Sequence, residues 1–126
     1  MTMKKLFVVF IALAGITIIS CRHFESNNTS ISYSETDHYF SMRSYFGKAK
    51  TRNVEEYMDD RIGSGSNMSF VNTRIDGQLA LDDHTTFYIK KYAGFLEIKL
   101  DKDKNSYASY KKIKLMCEGI KEVLAK

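Results

Sequence analysis

The sequence predicts a small α+β domain: two short N-terminal helices, a four-stranded antiparallel meander, and a C-terminal amphipathic helix packed on one sheet face. Two changes of hydrophobic period predict this order. Apolar residues recur at helical spacing before residue 63, alternate with polar residues between 68 and 100, and return to helical spacing from residue 106. A chain of 126 residues with 44% hydrophobic residues can bury one core, so we expect a single domain.

The first helix is expected to begin near Thr36 or Asp37 and to end at Gly47. Its apolar face would consist of residues at helical spacing: Tyr39, Met42, Tyr45 and Phe46. A strand through residues 38–40 is an alternative interpretation of the same stretch.

The second helix has clearer end signals. Asn53 can cap its N-terminus, and Glu56 three residues later completes a capping-box pattern. Gly63 is expected to end the helix, and residues 63–67 are expected to form a flexible loop. Its acidic residues would form a solvated face: Glu55, Glu56, Asp59 and Asp60.

The first half of the meander is predicted from alternation and turn residues. Residues 68–75 would form a strand and residues 76–78 a three-residue turn, which places Ile75 opposite Leu79 and keeps one face apolar. A two-residue turn is the alternative, but it mixes polar and apolar residues on each face.

The second half of the meander follows a turn at Asp82, Asp83 and His84. The third strand would span residues 85–90, and the fourth would follow Gly94 with three apolar residues facing inward: Leu96, Ile98 and Leu100.

The last helix is expected from about Ser106 to Leu124, capped by Asn105 or Ser106. Its apolar stripe is Tyr110, Ile113, Met116, Cys117, Ile120, Val123 and Leu124. Gly119 would weaken the helix by about 1 kcal/mol relative to alanine.

The first residues of the chain have the pattern of a secretory signal. Lys4 and Lys5 precede an apolar run at residues 6–19, and polarity rises after Cys21. As a helix, that run would be about 21 Å long, too short for a hydrocarbon core of roughly 30 Å. A cleaved signal is therefore favoured over a transmembrane anchor.

The junction Ile18-Ile19-Ser20-Cys21 resembles the lipobox of bacterial lipoproteins. The resemblance implies that residues 1–20 are a signal peptide and that Cys21 becomes the diacylated first residue, carrying acyl chains such as palmitate. The partner it implies is a membrane, contacted through N-terminal diacylglycerol. Arg22 after the cysteine implies sorting to the outer membrane, with the domain facing the periplasm.

Residues 21–35 are rich in Ser, Asn and Thr, and we expect them to form a flexible tether. Residues 36–126 would then form the single domain.

Charge and cysteine content narrow the function classes. Removal of Lys4 and Lys5 with the signal lowers the formal net charge from +4 to +2, so nucleic acid is not an expected partner. Lipidation of Cys21 leaves Cys117 without an intramolecular disulfide partner.

No motif predicts an enzyme, and we expect no metal or other cofactor. Asp82, Asp83 and His84 could supply metal ligands, but turn residues commonly have this composition. Residues 101–105 begin like an EF-hand loop without its glycine and bidentate glutamate. Cys117 belongs to an apolar stripe, as a buried non-catalytic cysteine does.

Two groups of residues are candidates for partner binding. Tyr88, Tyr92 and Phe95 flank the third turn, and aromatic residues are enriched at protein interfaces. Lys111 and Lys114 belong to a basic face of the last helix, which could meet an acidic partner or anionic lipid.

The expected function is that of a membrane-anchored periplasmic lipoprotein, a protein-binding accessory subunit of an envelope assembly such as a secretion system or outer-membrane complex. One alternative is an inhibitor or immunity lipoprotein directed against a toxin or a lysozyme-like hydrolase. Another is a small-ligand or metal carrier that uses Asp82, Asp83 and His84.

Overall fold

The computed structural model describes residues 20–26, 28–63 and 69–126, which form an antiparallel sheet and two α-helices. In chain order the elements are β1 (Ser20–Ser26), β2 (Thr29–Glu35), β3 (Tyr39–Tyr45), α1 (Thr51–Ile62), β4 (Ile75–Ala80), β5 (Thr86–Tyr92), β6 (Phe95–Asp101) and α2 (Tyr107–Leu124). The six strands are ordered β1-β2-β3-β6-β5-β4. The α+β class and the C-terminal helix are confirmed. The expected signal peptide and the loop at residues 64–67 lie outside the described residues.

The order of elements repeats once along the chain. A three-stranded meander and a helix (β1, β2, β3, α1) precede a second meander and helix (β4, β5, β6, α2). β6 begins 56 residues after β3, and α2 begins 56 residues after α1. The halves meet where β3 pairs antiparallel with β6, with Met42 opposite Ile98. The sheet therefore consists of two three-stranded halves, which meet between the central strands β3 and β6.

The helix predicted to begin near Thr36 and end at Gly47 is wrong, because this stretch contains β3. Phe40 and Met42 are buried, whereas Tyr39 and Tyr45 are exposed on the other face. The pattern has a period of two, and pairing with β2 on one side and β6 on the other stabilises it. The alternative interpretation of residues 38–40 as extended was the better one.

The flexible tether expected at residues 21–35 is also wrong, because β1 and β2 occupy most of it. In β2, Thr29, Ile31 and Tyr33 are buried, and serines alternate with them. Tyr33 also donates a hydrogen bond of 2.9 Å to the carbonyl of Cys117 in α2. The high serine content hid a period-two pattern, which gives the sheet six strands instead of four.

The strand predicted at residues 68–75 and the turn at 76–78 are wrong as well. Asp76 and Gly77 lie within β4, paired with Lys90 and Ile89, and residues 69–74 have no regular structure. Side chains of α1 hold that segment. Asp59 accepts hydrogen bonds from the Ser69 hydroxyl at 2.6 Å and from the Phe70 amide at 2.7 Å. The Asp59 carboxylate thus accepts hydrogen bonds from this segment, where the prediction required a partner strand.

The remaining elements agree with the sequence patterns, apart from one cap. α1 ends at Ile62 with Gly63 as its C-cap, but it begins at Thr51 after a 3-10 turn, so Asn53 is not its N-cap. α2 has Ser106 as N-cap, whose hydroxyl accepts from the Ser109 amide at 3.0 Å. Gly94 has a φ of 82° in the β5–β6 turn, the left-handed region that favours glycine.

Both helices pack on the same face of the sheet. The core between them contains side chains from both halves of the sheet, among them Ile31, Met42, Ile89, Leu96, Ile98, Met58, Ile113 and Ile120. Within the described part of the chain, no helix is both long enough and apolar enough to span a membrane.

Candidate functional site: the open face of the sheet

The face of the sheet opposite the helices carries a mixed aromatic and charged surface. We define this open face by the outward residues of its central and β4-side strands: Tyr39, Ser41, Arg43, Tyr45, Asp76, Gln78, Ala80, Thr86, Tyr88, Lys90, Tyr92, Phe95, Glu97, Lys99 and Asp101. No helix among the described residues covers it. Strand alternation puts these side chains on one surface, because their inward neighbours fill the core.

An aromatic row crosses one end of the open face. Tyr45, Phe95 and Tyr92 are opposite one another on adjacent strands. Phe95 lies at a centroid distance of 4.9 Å from Tyr45 and 4.8 Å from Tyr92, nearly parallel to the latter at 16°. The guanidinium of Arg74 lies 5.2 Å from the Tyr92 centroid. Two of the predicted partner-binding residues, Tyr92 and Phe95, therefore belong to one aromatic cluster.

The exposure within this row differs from the prediction. Phe95 is only 4% exposed and supports its neighbours, whereas Tyr45 is 51% exposed. The helical spacing places Tyr45 on the apolar face of a helix and therefore does not predict its exposure on the sheet. A period-two reading of residues 39–45 would have found it.

A charged row lies next to the aromatic row. Arg43 donates to a carboxylate oxygen of Glu97 at 2.7 and 3.2 Å, and Glu97 is mostly buried. The hydrogen bonds to Glu97 raise the pKa of Arg43. Lys90 lies on β5 between Glu97 and Asp76 on the neighbouring strands. The Arg43–Glu97 pair joins β3 to β6 across this row.

Tyr88, the third predicted aromatic residue, belongs to the same face but to its other end. Its hydroxyl donates a hydrogen bond of 2.7 Å to Asp76. This hydrogen bond, which is lost on ionisation, raises the pKa of Tyr88 to about 12.

A groove of about 590 Å³ lies beside Tyr88. It is lined by Tyr39, Gln78, Thr86, Phe87, Tyr88, Lys99, Asp101 and Lys104. Its walls combine two tyrosine rings with two lysines and one aspartate, so the groove can receive apolar groups and has a small excess of positive charge.

The predicted lysines, Lys111 and Lys114, lie on α2 and therefore on the other side of the sheet. Lys114 donates to Glu35 at 2.8 Å, and Lys102 pairs with the same carboxylate at 2.7 Å. Burial raises the pKa of Glu35, but the hydrogen bonds from Lys102, Lys114 and Tyr110 outweigh it and lower the pKa to about 2. Lys114 is thus held by an internal ion pair and lies on the opposite side of the sheet from Tyr88, Tyr92 and Phe95.

The residues considered as metal ligands do not converge. Asp83 accepts from the Thr85 amide at 3.1 Å and forms an ion pair with Lys112. The hydrogen bond from Lys112 is the main reason that the pKa of Asp83 falls to about 2. Within the described ranges, no group of three or more His, Cys, Asp or Glu side chains could hold a metal ion. His84 has a φ of 70° and lies in the turn between β4 and β5.

Asp101 caps a helix, and Cys117 lies in the core. Asp101 caps a short 3-10 helix by accepting from the Asp103 amide at 2.9 Å. The Cys117 side chain is fully buried in the core, and burial raises the pKa of its thiol. Cys21 is the second residue of β1, and its backbone pairs with that of Ser34 in β2.

The sequence pattern does not predict the buried ion pair between Glu55 and Lys91. Glu55, expected on the solvated face of α1, is buried and accepts from Lys91 at 2.5 Å and from the Asn72 amide at 3.1 Å. The available signal was the position of Lys91, two residues after Ile89 and four after Phe87 on the inward side of β5.

Comparisons with protein-family models, with curated proteins and with solved structures found no match to this chain.

Proposed function

We propose that this protein is a lipoprotein, anchored in the bacterial outer membrane through Cys21, that binds another envelope protein in the periplasm as an accessory subunit of an assembly. The observation that carries the protein-binding part is the open face, with its aromatic row beside a charged row. The lipobox-like residues 18–21 carry the anchoring part.

The aromatic row has the composition of a protein interface. Tyrosine and arginine are over-represented among residues that dominate binding energy, and Tyr45, Tyr92 and Arg74 lie together at this end of the sheet. Phe95 beneath them limits the conformational freedom of the two tyrosines, so less entropy is lost when a partner binds.

The position of Cys21 in the fold has a consequence for anchoring. Because β1 includes residues 20–26, cleavage before Cys21 would begin the mature chain within this edge strand. The lipid would then be attached at the edge of the sheet without a long intervening tether. We therefore expect the domain to lie close to the membrane surface and its partner to be membrane-proximal.

Site-specific crosslinking in the native envelope tests this proposal. A photo-crosslinking residue is introduced at position 45 on the open face, and a control is placed at position 115 on α2, where Leu115 is similarly exposed at 50%. We expect a crosslinked envelope protein from position 45, none from position 115, and loss of the crosslink in Cys21→Ala.

The outcomes separate the alternatives. Equal crosslinking from both positions, or none from position 45, would contradict binding through the open face. A crosslink that appears only after a foreign hydrolase or toxin is added would favour the inhibitor or immunity function over the accessory subunit. A crosslink that persists in Cys21→Ala would contradict the role of the anchor.

A further inference from the structure

We propose that the groove beside Tyr88 binds an acidic segment of the protein partner, with Lys99 and Lys104 contacting its carboxylates. This inference rests on the proposed function, because it names the chemistry of the partner for the same open face. The charged side chains of this face differ in whether they already have partners within the protein.

The carboxylates of the open face are engaged by internal donors. Glu97 accepts from Arg43 at 2.7 Å, Asp76 accepts from the Tyr88 hydroxyl at 2.7 Å, and Asp101 accepts from the Asp103 amide at 2.9 Å. Each of these acids therefore has a structural role, but only the charge of Glu97 is compensated by a cation, because the donors to Asp76 and Asp101 are neutral.

The cations that line the groove are not engaged in this way. Neither Lys99 nor Lys104 forms an ion pair or side-chain hydrogen bond with any residue that the structure describes. On the neighbouring strands Lys99 lies opposite Ser41 and Tyr88, neither of which carries a negative charge. Lys99 and Lys104 outnumber Asp101 in the lining, so the groove has a net formal charge of +1, which complements an acidic ligand.

The size and the lining of the groove can accommodate a segment of polypeptide. A volume of about 590 Å³ is typical of clefts that enclose several side chains or a small ligand. Tyr39, which is 55% exposed, and Tyr88 flank the lysines, so apolar residues beside the acidic ones would also be covered. The Gln78 amide group can donate to and accept from the backbone of such a segment.

The test uses the full chain, purified in mild detergent, and a random peptide library displayed on phage. Peptides are selected on the unmodified protein, and selected sequences are synthesised with a fluorophore for anisotropy titrations. The charge-reversal variant is Lys99→Glu/Lys104→Glu. Its matched control, Lys111→Glu/Lys126→Glu, makes the same change in net charge away from the open face, and circular dichroism verifies that both variants fold.

We expect the selected peptides to be enriched in Asp and Glu. Their affinity should fall roughly tenfold or more in Lys99→Glu/Lys104→Glu, because each reversal replaces attraction by repulsion, and it should be unchanged in the control. Added salt should weaken binding to the unmodified protein.

Three results would overturn the inference: selected peptides without an acidic bias, equal losses of affinity in the two variants, or a dependence on Lys99 and Lys104 for binding phosphatidylglycerol vesicles but not peptides. Failure here is distinguishable from failure of the proposed function. A crosslink from position 45 with no acidic bias would leave the proposed function standing alone, whereas acidic peptides that bind without any envelope crosslink would contradict only the proposed function.

Discussion

The amino group of Lys91 lies 2.5 Å from a carboxylate oxygen of Glu55, and the two side chains are 2% and 5% exposed. Lys91 also donates to the Thr73 carbonyl, and Glu55 accepts from the Asn72 amide. The pair thus joins β5, α1 and the irregular segment that follows α1. A buried ion pair with such supporting hydrogen bonds keeps both charges satisfied away from water.

Breaking this pair should destabilise the fold strongly. Glu55→Gln or Lys91→Met alone should lower the free energy of unfolding by about 3–5 kcal/mol, because each leaves an uncompensated buried partner. The double variant Glu55→Leu/Lys91→Met should lose less than the sum of the two single variants. Urea unfolding followed by circular dichroism measures these differences.

The control for this pair is Glu56→Gln, which removes the exposed ion pair between Arg52 and Glu56 on the same helix. Its cost should be about 0.5 kcal/mol or less. Additive losses in the Glu55 and Lys91 double variant would contradict the coupling that the geometry implies.

Gly119 should be required for the contact between the helices. A Cβ atom at this position would lie 1.9 Å from the hydroxyl of Tyr57, which donates a hydrogen bond of 3.1 Å to the Met116 carbonyl. Glycine to alanine in a helix normally stabilises by about 1 kcal/mol. Here Gly119→Ala should instead destabilise by about 1–3 kcal/mol, because Tyr57 has to move.

Thermal or urea unfolding in the Tyr57→Leu background tests whether the clash with Tyr57 causes this destabilisation. In Tyr57→Leu, where the clashing ring is absent, Gly119→Ala should be neutral or stabilising. A stabilising effect of Gly119→Ala in the unmodified protein would refute the packing that we describe.

Glu35 should make the stability of the protein sensitive to acid. Its pKa in the folded state is lowered to about 2 by Lys102, Lys114 and Tyr110, below the value of an unfolded glutamate. Its contribution is therefore complete above about pH 5 and is lost as the pH falls through the folded-state pKa. With allowance for solvent screening, we expect this contribution to be about 1–2 kcal/mol.

Melting temperatures measured from neutral pH down to pH 2 check this prediction. Glu35→Gln should lower the melting temperature at neutral pH and should flatten its decline in acid. Asp82→Asn changes an exposed carboxylate and serves as the control. Parallel curves for Glu35→Gln and the unmodified protein would contradict the prediction.

The thiol of Cys117 should not react in the folded protein. It is fully buried, and burial raises its pKa, so little thiolate is available to a reagent. In a Cys21→Ala chain, a colorimetric thiol reagent should label Cys117 only under unfolding conditions. Rapid stoichiometric labelling in native buffer would show that the core around α2 opens readily.

The elements with strong local signals were predictable. α2 has a long apolar stripe and a serine cap, β6 has strict alternation, and the turns at Asp83 and Gly94 contain residues that favour them. Each of these signals comes from residues close together in the chain, so it can be recognised from the sequence alone. The predicted Tyr88, Tyr92 and Phe95 also share one face, since β5 and β6 were assigned nearly correctly.

The other elements depend on distant partners. β3 is a strand because it pairs with β6, more than fifty residues later in the chain, although its residues also fit a helical spacing. In the segment around Phe70, the amides of Phe70 and Asn72 donate to Asp59 and Glu55 of α1 and not to a neighbouring strand. The sequence by itself determined the class and the elements from β5 to α2. Only the tertiary structure decided the N-terminal strands, the burial of Glu55 and the joining of Tyr45 to the aromatic row, because pairing between remote segments outweighs local preference.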